Sequence, residues 1–120
     1  MLNGLGYFTL ETPDVPKARA FYSALFGWTW DEASSMSTYA HISPEGRHAA
    51  PASGIVKGEK KDFSNLYFQV ADIDAACARV GELGGRAAIP AESASGKSVT
   101  VCDDQGVSFG LWQPAEGMED

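Results

Sequence analysis

The sequence contains one pattern twice, and this internal repeat constrains the fold more than any other feature. The run Tyr7-Phe8-Thr9-Leu10 precedes Asp14, and the run Tyr67-Phe68-Gln69-Val70 precedes Asp72, which lies 58 positions after Asp14. That period is too long for a solenoid, whose repeats span about 20–50 residues. The 120-residue chain is therefore expected to fold as two similar halves.

The first half is predicted to contain one strand, one helix and three further short strands. Residues 5–12 alternate apolar and polar side chains, as a half-buried strand does. Asp14 is expected to cap a helix that ends at Gly27. The three further strands are predicted over residues 28–31, 38–43 and 48–56. Pro51 indicates that the last of these is an edge strand or carries a bulge.

The second half repeats this order after a polar linker at residues 58–62. Leu66, Phe68 and Val70 alternate with polar neighbours and predict a strand. Asp72 is expected to cap a helix that ends at Gly84-Gly85. Three strands are predicted after it, over residues 87–91, 98–102 and 107–112. Residues 103–106 (Asp-Asp-Gln-Gly) are typical of a hairpin turn.

This order of elements predicts an α+β fold made of two βαβββ modules. We place the first module at residues 1–57 and the second at residues 63–120, both within a single domain. Curled mixed sheets would enclose a cleft, with the helices on the outside. Clefts between such halves are the usual place for a small-molecule ligand.

Charge and apolar content exclude several classes of partner. Nine Lys and Arg residues stand against sixteen Asp and Glu residues, a net charge of −7. Nucleic-acid binders carry a basic surface that neutralises phosphate, so nucleic acid is not expected as a partner. No apolar stretch approaches the roughly 20 residues of a membrane span, and no signal-peptide pattern is seen. We expect a cytoplasmic protein without a membrane partner, in which Cys77 and Cys102 are buried, unpaired thiols.

Three groups of residues resemble the vicinal oxygen chelate superfamily, which includes glyoxalase I, bleomycin-resistance proteins and extradiol dioxygenases. The groups are Phe21-Tyr22 with Leu25-Phe26-Gly27-Trp28, residues 70–76 with Leu83-Gly84-Gly85, and residues 103–109 with Leu111 and Gln113. The resemblance covers nearly the whole chain. It implies two βαβββ modules, and in metal-dependent members a divalent ion held by His and Glu at four inward strand positions.

Carried over to this chain, those four positions fall on Tyr7, Asn65, Gly110 and, near the fourth strand, Gly54. None of them supplies the carboxylate or imidazole that divalent ions prefer. We therefore expect no metal and no cofactor. This departure argues against glyoxalase, ring-cleaving dioxygenase and thiol-transfer chemistry of the usual metal-dependent kind.

Strand alternation places a set of polar and aromatic side chains on the inward faces. The predicted ligand-binding residues are Tyr7, Thr9, Glu11, Tyr39, His41, Asn65, Tyr67, Gln69 and Trp112. Aromatic walls suit a flat ligand that tyrosine hydroxyls orient. His41 is open between a hydrogen-bonded structural residue, a ligand contact and a general base. Glu11 is open between a solvated carboxylate, a ligand contact and a base, and the sheet face taken by Trp28 and Trp30 is also open.

These observations favour a metal-free protein that sequesters or carries an aromatic, hydrophobic or cationic small molecule, as drug-resistance binders do. The alternative is a glyoxalase- or dioxygenase-like lyase, isomerase or oxidoreductase with a non-standard metal set or metal-free acid–base chemistry. No nucleophile or nucleotide-binding motif settles whether a reaction is catalysed, and no catalytic residue is assigned. A third hypothesis is an interaction module whose cleft is vestigial. Members of the resembled superfamily of this length are usually two-fold dimers, so a homodimer is expected.

Overall fold

The computed structural model describes residue 3, residues 7–43 and residues 52–117. The chain divides into two compact units, Met1–Lys60 and Lys61–Asp120, called unit 1 and unit 2 below. The predicted linker at residues 58–62 spans this division. Neither helix described below is long and apolar enough to cross a membrane.

Unit 1 contains one helix against one face of a small mixed sheet. Its elements are β1 (Tyr7–Thr12), α1 (Val15–Phe26), a 3-10 turn (Glu32–Ser34), β2 (Tyr39–His41) and β3 (Ala52–Lys57). The strand order is β1-β3-β2, with β3 parallel to β1 and antiparallel to β2. The face that packs against α1 buries Leu10 and Ile55.

Unit 2 repeats the arrangement with additional strands. Its elements are β4 (Asp62–Gln69), α2 (Ile73–Glu82), β5 (Arg86–Ala87), β6 (Ala91–Ser93), β7 (Gly96–Cys102) and β8 (Ser108–Pro114). The strand order is β4-β8-β7-β5, and β6 also pairs with β7. β4 runs parallel to β8, as β1 runs parallel to β3. Two helices on mixed sheets confirm the α+β class.

The helix N-termini preserve the repeat most closely. Asp14 (φ −138°, ψ 102°) and Asp72 (φ −139°, ψ 102°) have nearly the same backbone conformation. Asp14 Oδ1 accepts a hydrogen bond from the Lys17 amide at 3.1 Å, and Asp72 Oδ1 accepts one from the Ala75 amide at 3.1 Å. Each carboxylate satisfies an amide that the first helical turn leaves unpaired. The predicted caps are confirmed.

The predicted strand at residues 28–31 is wrong, because only one bridge pair, Trp30 with Ile42, forms there. The two tryptophans pack toward α1 instead. The Trp28 ring stacks on Tyr22 at 5.5 Å between centroids, and Trp30 Nε1 donates to Ser23 Oγ at 2.7 Å. Burial of these large rings against the helix outweighs strand pairing. Both tryptophans therefore lie on the side of α1, which answers the question of which face they occupy.

Two other strand predictions need correction. β3 is the central strand of its sheet, not an edge strand, and it begins at Ala52, so residues 48–51 of that prediction lie outside the described residues. The predicted strand at residues 87–91 is interrupted at Ile89 and Pro90. Proline has no amide to donate to a neighbouring strand, so pairing with β7 stops at Ala87 and resumes at Ala91.

The predicted hairpin turn between β7 and β8 is confirmed. Asp103 is buried, and its Oδ1 accepts from the Gln105 amide at 2.8 Å and the Val107 amide at 3.0 Å. Gly106 takes the left-handed conformation at φ 82°, which favours glycine over other residues. This turn fixes the register in which β8 lies against β7.

Candidate functional site

The sheet of unit 1 has a second face, opposite α1, that carries the predicted polar and aromatic side chains. Along β1, Tyr7, Thr9 and Glu11 alternate with the buried Leu10 and Thr12. Along β2, Tyr39 and His41 flank the buried Ala40. The five predicted site residues of this unit therefore share one face, called the open face of unit 1.

Gly54 in β3 lies at the centre of this open face. Its register partners are Thr9 on β1 and His41 on β2. An ideal Cβ on Gly54 would lie 2.7 Å from the Tyr39 hydroxyl oxygen and 2.8 Å from the Tyr7 hydroxyl oxygen. Real Cβ atoms do not approach other atoms this closely. The absence of a side chain at Gly54 is thus what allows both tyrosine hydroxyls to converge there.

His41 supports the two tyrosine rings from the side. Its ring lies 5.5 Å from the Tyr7 ring and 5.8 Å from the Tyr39 ring, and it is nearly perpendicular to both. Edge-to-face contacts of this kind are favourable between aromatic rings. Ser34 Oγ lies 3.4 Å from His41 Nδ1. These contacts suit a residue that positions the two tyrosine rings.

Glu11 points to the end of the sheet rather than to the tyrosine pair. Its Oε2 accepts a hydrogen bond from the Lys60 amide at 3.1 Å. An ideal Cβ on Gly58 would lie 2.4 Å from the same oxygen, so the carboxylate rests on the backbone of that glycine. The interaction explains an acidic residue on this face, because the carboxylate holds the segment that follows β3.

The sheet of unit 2 has a corresponding open face. Tyr67 pairs with Gly110, and Gln69 pairs with Trp112. Tyr67 is 54% exposed, whereas the neighbouring Phe68 packs its ring 5.7 Å from Phe109 on the helix side. The predicted alternation of β4 is therefore confirmed at these two residues.

In unit 2, the missing side chain of Gly110 leaves room for an aromatic ring, as that of Gly54 leaves room for two hydroxyls in unit 1. An ideal Cβ on Gly110 would lie 2.5 Å from Tyr67 Cδ2 and 2.8 Å from Cε2. Trp112 lies two residues further along β8, and its Nε1 donates to the Ser95 carbonyl at 3.1 Å. Asn65 is exposed and lies where the β4–β8 register shifts, so it has no opposite partner on β8. The register places Tyr67 and Trp112 on the same face of the sheet.

The residues at the four expected metal positions do not fit a divalent ion. Tyr7 and Asn65 supply weak neutral donors, and Gly54 and Gly110 supply none. The space beside each glycine is taken by tyrosine atoms. Across residues 7–43 and 52–117, no three His, Cys, Asp or Glu side chains come together as a metal ion requires.

Two groups in the described residues have pKa values shifted by their surroundings. Burial raises the pKa of the Tyr39 hydroxyl above its ordinary value of about 10, so this hydroxyl keeps its proton at neutral pH. Burial, and then the Asp74 carboxylate, raise the pKa of the Cys77 thiol. Cys77 and Cys102 are both free, and both are half-buried rather than fully buried as expected. The raised pKa suits an unreactive Cys77.

Sequence reasoning found the tyrosines but missed the glycines beneath them. Gly54 and Gly110 were considered only as positions lacking a metal ligand. One signal in the sequence could have indicated this role. It is a glycine at an inward strand position whose neighbouring strand carries a tyrosine on the same face of the sheet. Ser95, which holds the Trp112 indole, carries no such signal because the contact depends on how a turn folds.

Comparisons with known proteins agree with this architecture. A sequence model of the Glyoxalase/Bleomycin resistance protein/Dioxygenase superfamily matches residues 4–110. The protein named "Putative glyoxylase CFP32", from Mycobacterium bovis and Mycobacterium tuberculosis, is 30% identical over 112 residues. The match covers 87% of this chain but only 43% of CFP32, so the chain spans less than half the length of these curated relatives.

Two solved structures share the fold at low sequence identity. The fosfomycin resistance protein FosX from Listeria monocytogenes has a TM-score of 0.73 and 21% identity, over 99% of this chain and 100% of that chain. TnmS3, an antibiotic binding protein from Streptomyces sp. CB03234, has a TM-score of 0.70 and 23% identity, over 96% of this chain and 99% of that chain. With two βα units on mixed sheets and a family match over most of its length, this chain belongs to the glyoxalase/bleomycin resistance protein/dioxygenase superfamily.

Proposed function

We propose that this protein is a metal-free binder that sequesters or carries a small aromatic, hydrophobic or cationic molecule. The observation that carries the proposal is the pair of glycines, Gly54 and Gly110, each covered by tyrosine atoms where a metal ligand would be expected. Such positions present aromatic surface and hydroxyl groups, which are the groups that hold and orient a flat ligand.

We propose that the two modules, residues 1–57 and 63–120, belong to a single domain and that their open faces carry the ligand-binding residues. The proposed ligand-contacting residues are Tyr7, Thr9, Glu11, Tyr39, His41, Asn65, Tyr67, Gln69 and Trp112. Support for this proposal comes from the repeat, because each unit presents an aromatic open face built around a strand glycine. TnmS3, with the same fold, is an antibiotic binding protein, which supports capture as a function of this architecture.

The proposal is tested by a thermal-shift screen of flat aromatic compounds, together with metal analysis of the untagged protein. A ligand that binds only the folded state raises stability by RT ln(1 + [L]/Kd), about 2.7 kcal/mol at a hundredfold excess over Kd. We expect saturable stabilisation by at least one aromatic class, with no stoichiometric metal. A stoichiometric metal would refute the metal-free binder. The lack of any stabilising aromatic compound would exclude the aromatic ligand class, and failure of hydrophobic and cationic compounds in the same screen would refute binding altogether.

An enzyme of the same family is the second candidate, and the 30% identity to a protein named as a glyoxylase favours it. In that case His41 and the Tyr7 and Tyr39 hydroxyls are the groups available for acid–base chemistry without a metal. Turnover that disappears in His41→Gln and has a bell-shaped pH profile would favour the enzyme. Stoichiometric binding without turnover would favour the binder.

We also propose a homodimer in the cytoplasm, without nucleic-acid or membrane partners. The two free cysteines suit a reducing compartment. The edge strands β1 and β2 of unit 1, and β4 and β5 of unit 2, are the edges that a second copy could cover. Light scattering that gives the mass of one chain at micromolar concentration would contradict the dimer.

A further inference from the structure

The two hydroxyls on the open face of unit 1 are close enough to act on one atom. Both oxygens lie within 2.8 Å of the same point beside Gly54, at 2.7 Å for Tyr39 and 2.8 Å for Tyr7. They are therefore at most 5.5 Å apart, the sum of those two distances. A hydrogen bond between oxygen atoms spans about 2.5–3.0 Å. One acceptor oxygen can thus lie within hydrogen-bond distance of both hydroxyls.

The sheet and His41 hold this pair in place. Tyr7 and Tyr39 approach Gly54 from the two strands that flank β3, so each hydroxyl is positioned by its own strand. The His41 ring contacts both tyrosine rings edge-on. Tyr39 is half-buried, while Tyr7 is 39% exposed and leaves the pair open to a ligand. A donor pair that is already in position loses little entropy when it binds an acceptor.

We propose that Tyr7 and Tyr39 jointly donate hydrogen bonds to one carbonyl oxygen of a neutral, flat aromatic ligand. This inference rests on the proposed function and narrows its ligand class. In this proposal, two phenol groups recognise a ligand oxygen beside Gly54, a position where a metal ligand would be expected from the family resemblance.

Charge on the same face favours a neutral carbonyl over a cation. Glu11, the acidic residue of the open face, directs its carboxylate to the Lys60 amide and to Gly58, and not to the point beside Gly54 where a ligand oxygen would bind. The Tyr39 hydroxyl is a donor at neutral pH, and burial raises its pKa further above the ordinary value. The net charge of −7 disfavours an anion. A neutral oxygen acceptor satisfies all three conditions.

The inference is tested with two probes of nearly the same shape, 9-fluorenone, which has one carbonyl oxygen, and fluorene, which has none. Kd values are measured for the full chain and for Tyr7→Phe, Tyr39→Phe and the double variant. Each hydrogen bond contributes about 0.5–1.5 kcal/mol, so each single change should weaken fluorenone binding roughly two- to tenfold. Fluorene binding should not change. Thr38→Val removes an exposed hydroxyl beside Tyr39 and serves as the matched control, with no effect on either probe.

The infrared carbonyl band of bound fluorenone gives a second measurement. The band should move to lower wavenumber in the wild-type protein than in the double variant, because two donors weaken the C=O bond. Gly54→Ala should give the same carbonyl band as the double variant, because the added methyl group displaces both hydroxyls. Its melting curve shows whether this variant folds. The Tyr→Phe variants test the inference even if Gly54→Ala does not fold.

The possible outcomes separate this inference from the proposed function. If both probes bind equally tightly, or if Tyr→Phe weakens both equally, the donor pair is refuted while aromatic binding stands. If neither probe binds, the donor pair is refuted, whereas the proposed function fails only if no compound in the thermal-shift screen stabilises the protein. Preference for fluorenone that depends on both hydroxyls supports both.

Discussion

At the scale of single residues, Tyr67 and Phe68 are neighbours with opposite environments. Tyr67 is 54% exposed over Gly110, and Phe68 packs on Phe109. We expect Tyr67→Ala to weaken ligand binding at least tenfold, about 1.4 kcal/mol, without unfolding the protein. Phe68→Ala should instead lower the free energy of unfolding by about 3 kcal/mol, the low end for phenylalanine, because Phe68 is only half-buried.

Trp112→Ala is the companion to Tyr67→Ala, because both side chains belong to the open face of unit 2. It should likewise weaken binding at least tenfold, about 1.4 kcal/mol. Urea unfolding and ligand titration on the same variants separate the two effects. Loss of stability in Tyr67→Ala with retained binding, together with the reverse in Phe68→Ala, would show that the assignment of faces on β4 is wrong.

Tyr39 predicts how stability depends on alkaline pH. Burial raises its pKa in the folded protein, so the folded state holds the proton more tightly than the unfolded chain. This contribution to stability is complete below the unfolded pKa of about 10 and is lost as pH rises through the folded pKa. The stability difference between wild type and Tyr39→Phe should therefore be constant to about pH 9 and shift against wild type above about pH 10. Urea unfolding across this range measures it, and a difference independent of pH would contradict the prediction.

At the scale of secondary-structure elements, the two helix caps should contribute similarly to stability. Asp14→Ala and Asp72→Ala should each lower the free energy of unfolding by about 1 kcal/mol, because each removes an acceptor for a first-turn amide. Asp14→Asn and Asp72→Asn keep an acceptor and should cost only a few tenths of that. Equal losses for the Ala and Asn variants would exclude capping as the cause.

Sequence-based prediction was accurate where an element depends on residues close together in the sequence, and it failed where the element depends on distant contacts. Helix caps and the Asp103 turn depend on residues a few positions apart, and they were predicted correctly. Residues 28–31 alternate like a strand, but Trp28 and Trp30 pack on a helix, a contact that periodicity does not encode. The position of β3 in the centre of its sheet depends on pairing with β1 and β2, so a single nearby proline could not reveal it.

At the scale of the whole molecule, the same distinction applies to the candidate site. Strand parity alone predicts that Tyr7 and Tyr39 share a face, because side chains alternate along each strand. That their hydroxyls converge on Gly54 depends on cross-strand register, which the fold sets. The chemistry of the site therefore depends on residues from three strands. The glycine among them contributes by lacking a side chain.

The last prediction concerns removal of metal from the whole protein. A structural metal contributes folding free energy directly, so a chelator lowers the melting temperature of a protein that depends on one. Within the described parts of this chain, no group of potential ligands is suited to hold an ion, and tyrosine atoms occupy the space beside Gly54 and Gly110. We expect EDTA to change the melting temperature by less than about 1 °C, where a loss of 1 kcal/mol would lower it by about 4 °C in a chain of this length. FosX from Listeria monocytogenes, whose structure was solved with Mn(II), is a suitable control for the metal analysis. A decrease of more than about 5 °C that added Mn(II) or Zn(II) reverses would show that a metal is bound, and the proposal of a metal-free binder would have to be abandoned.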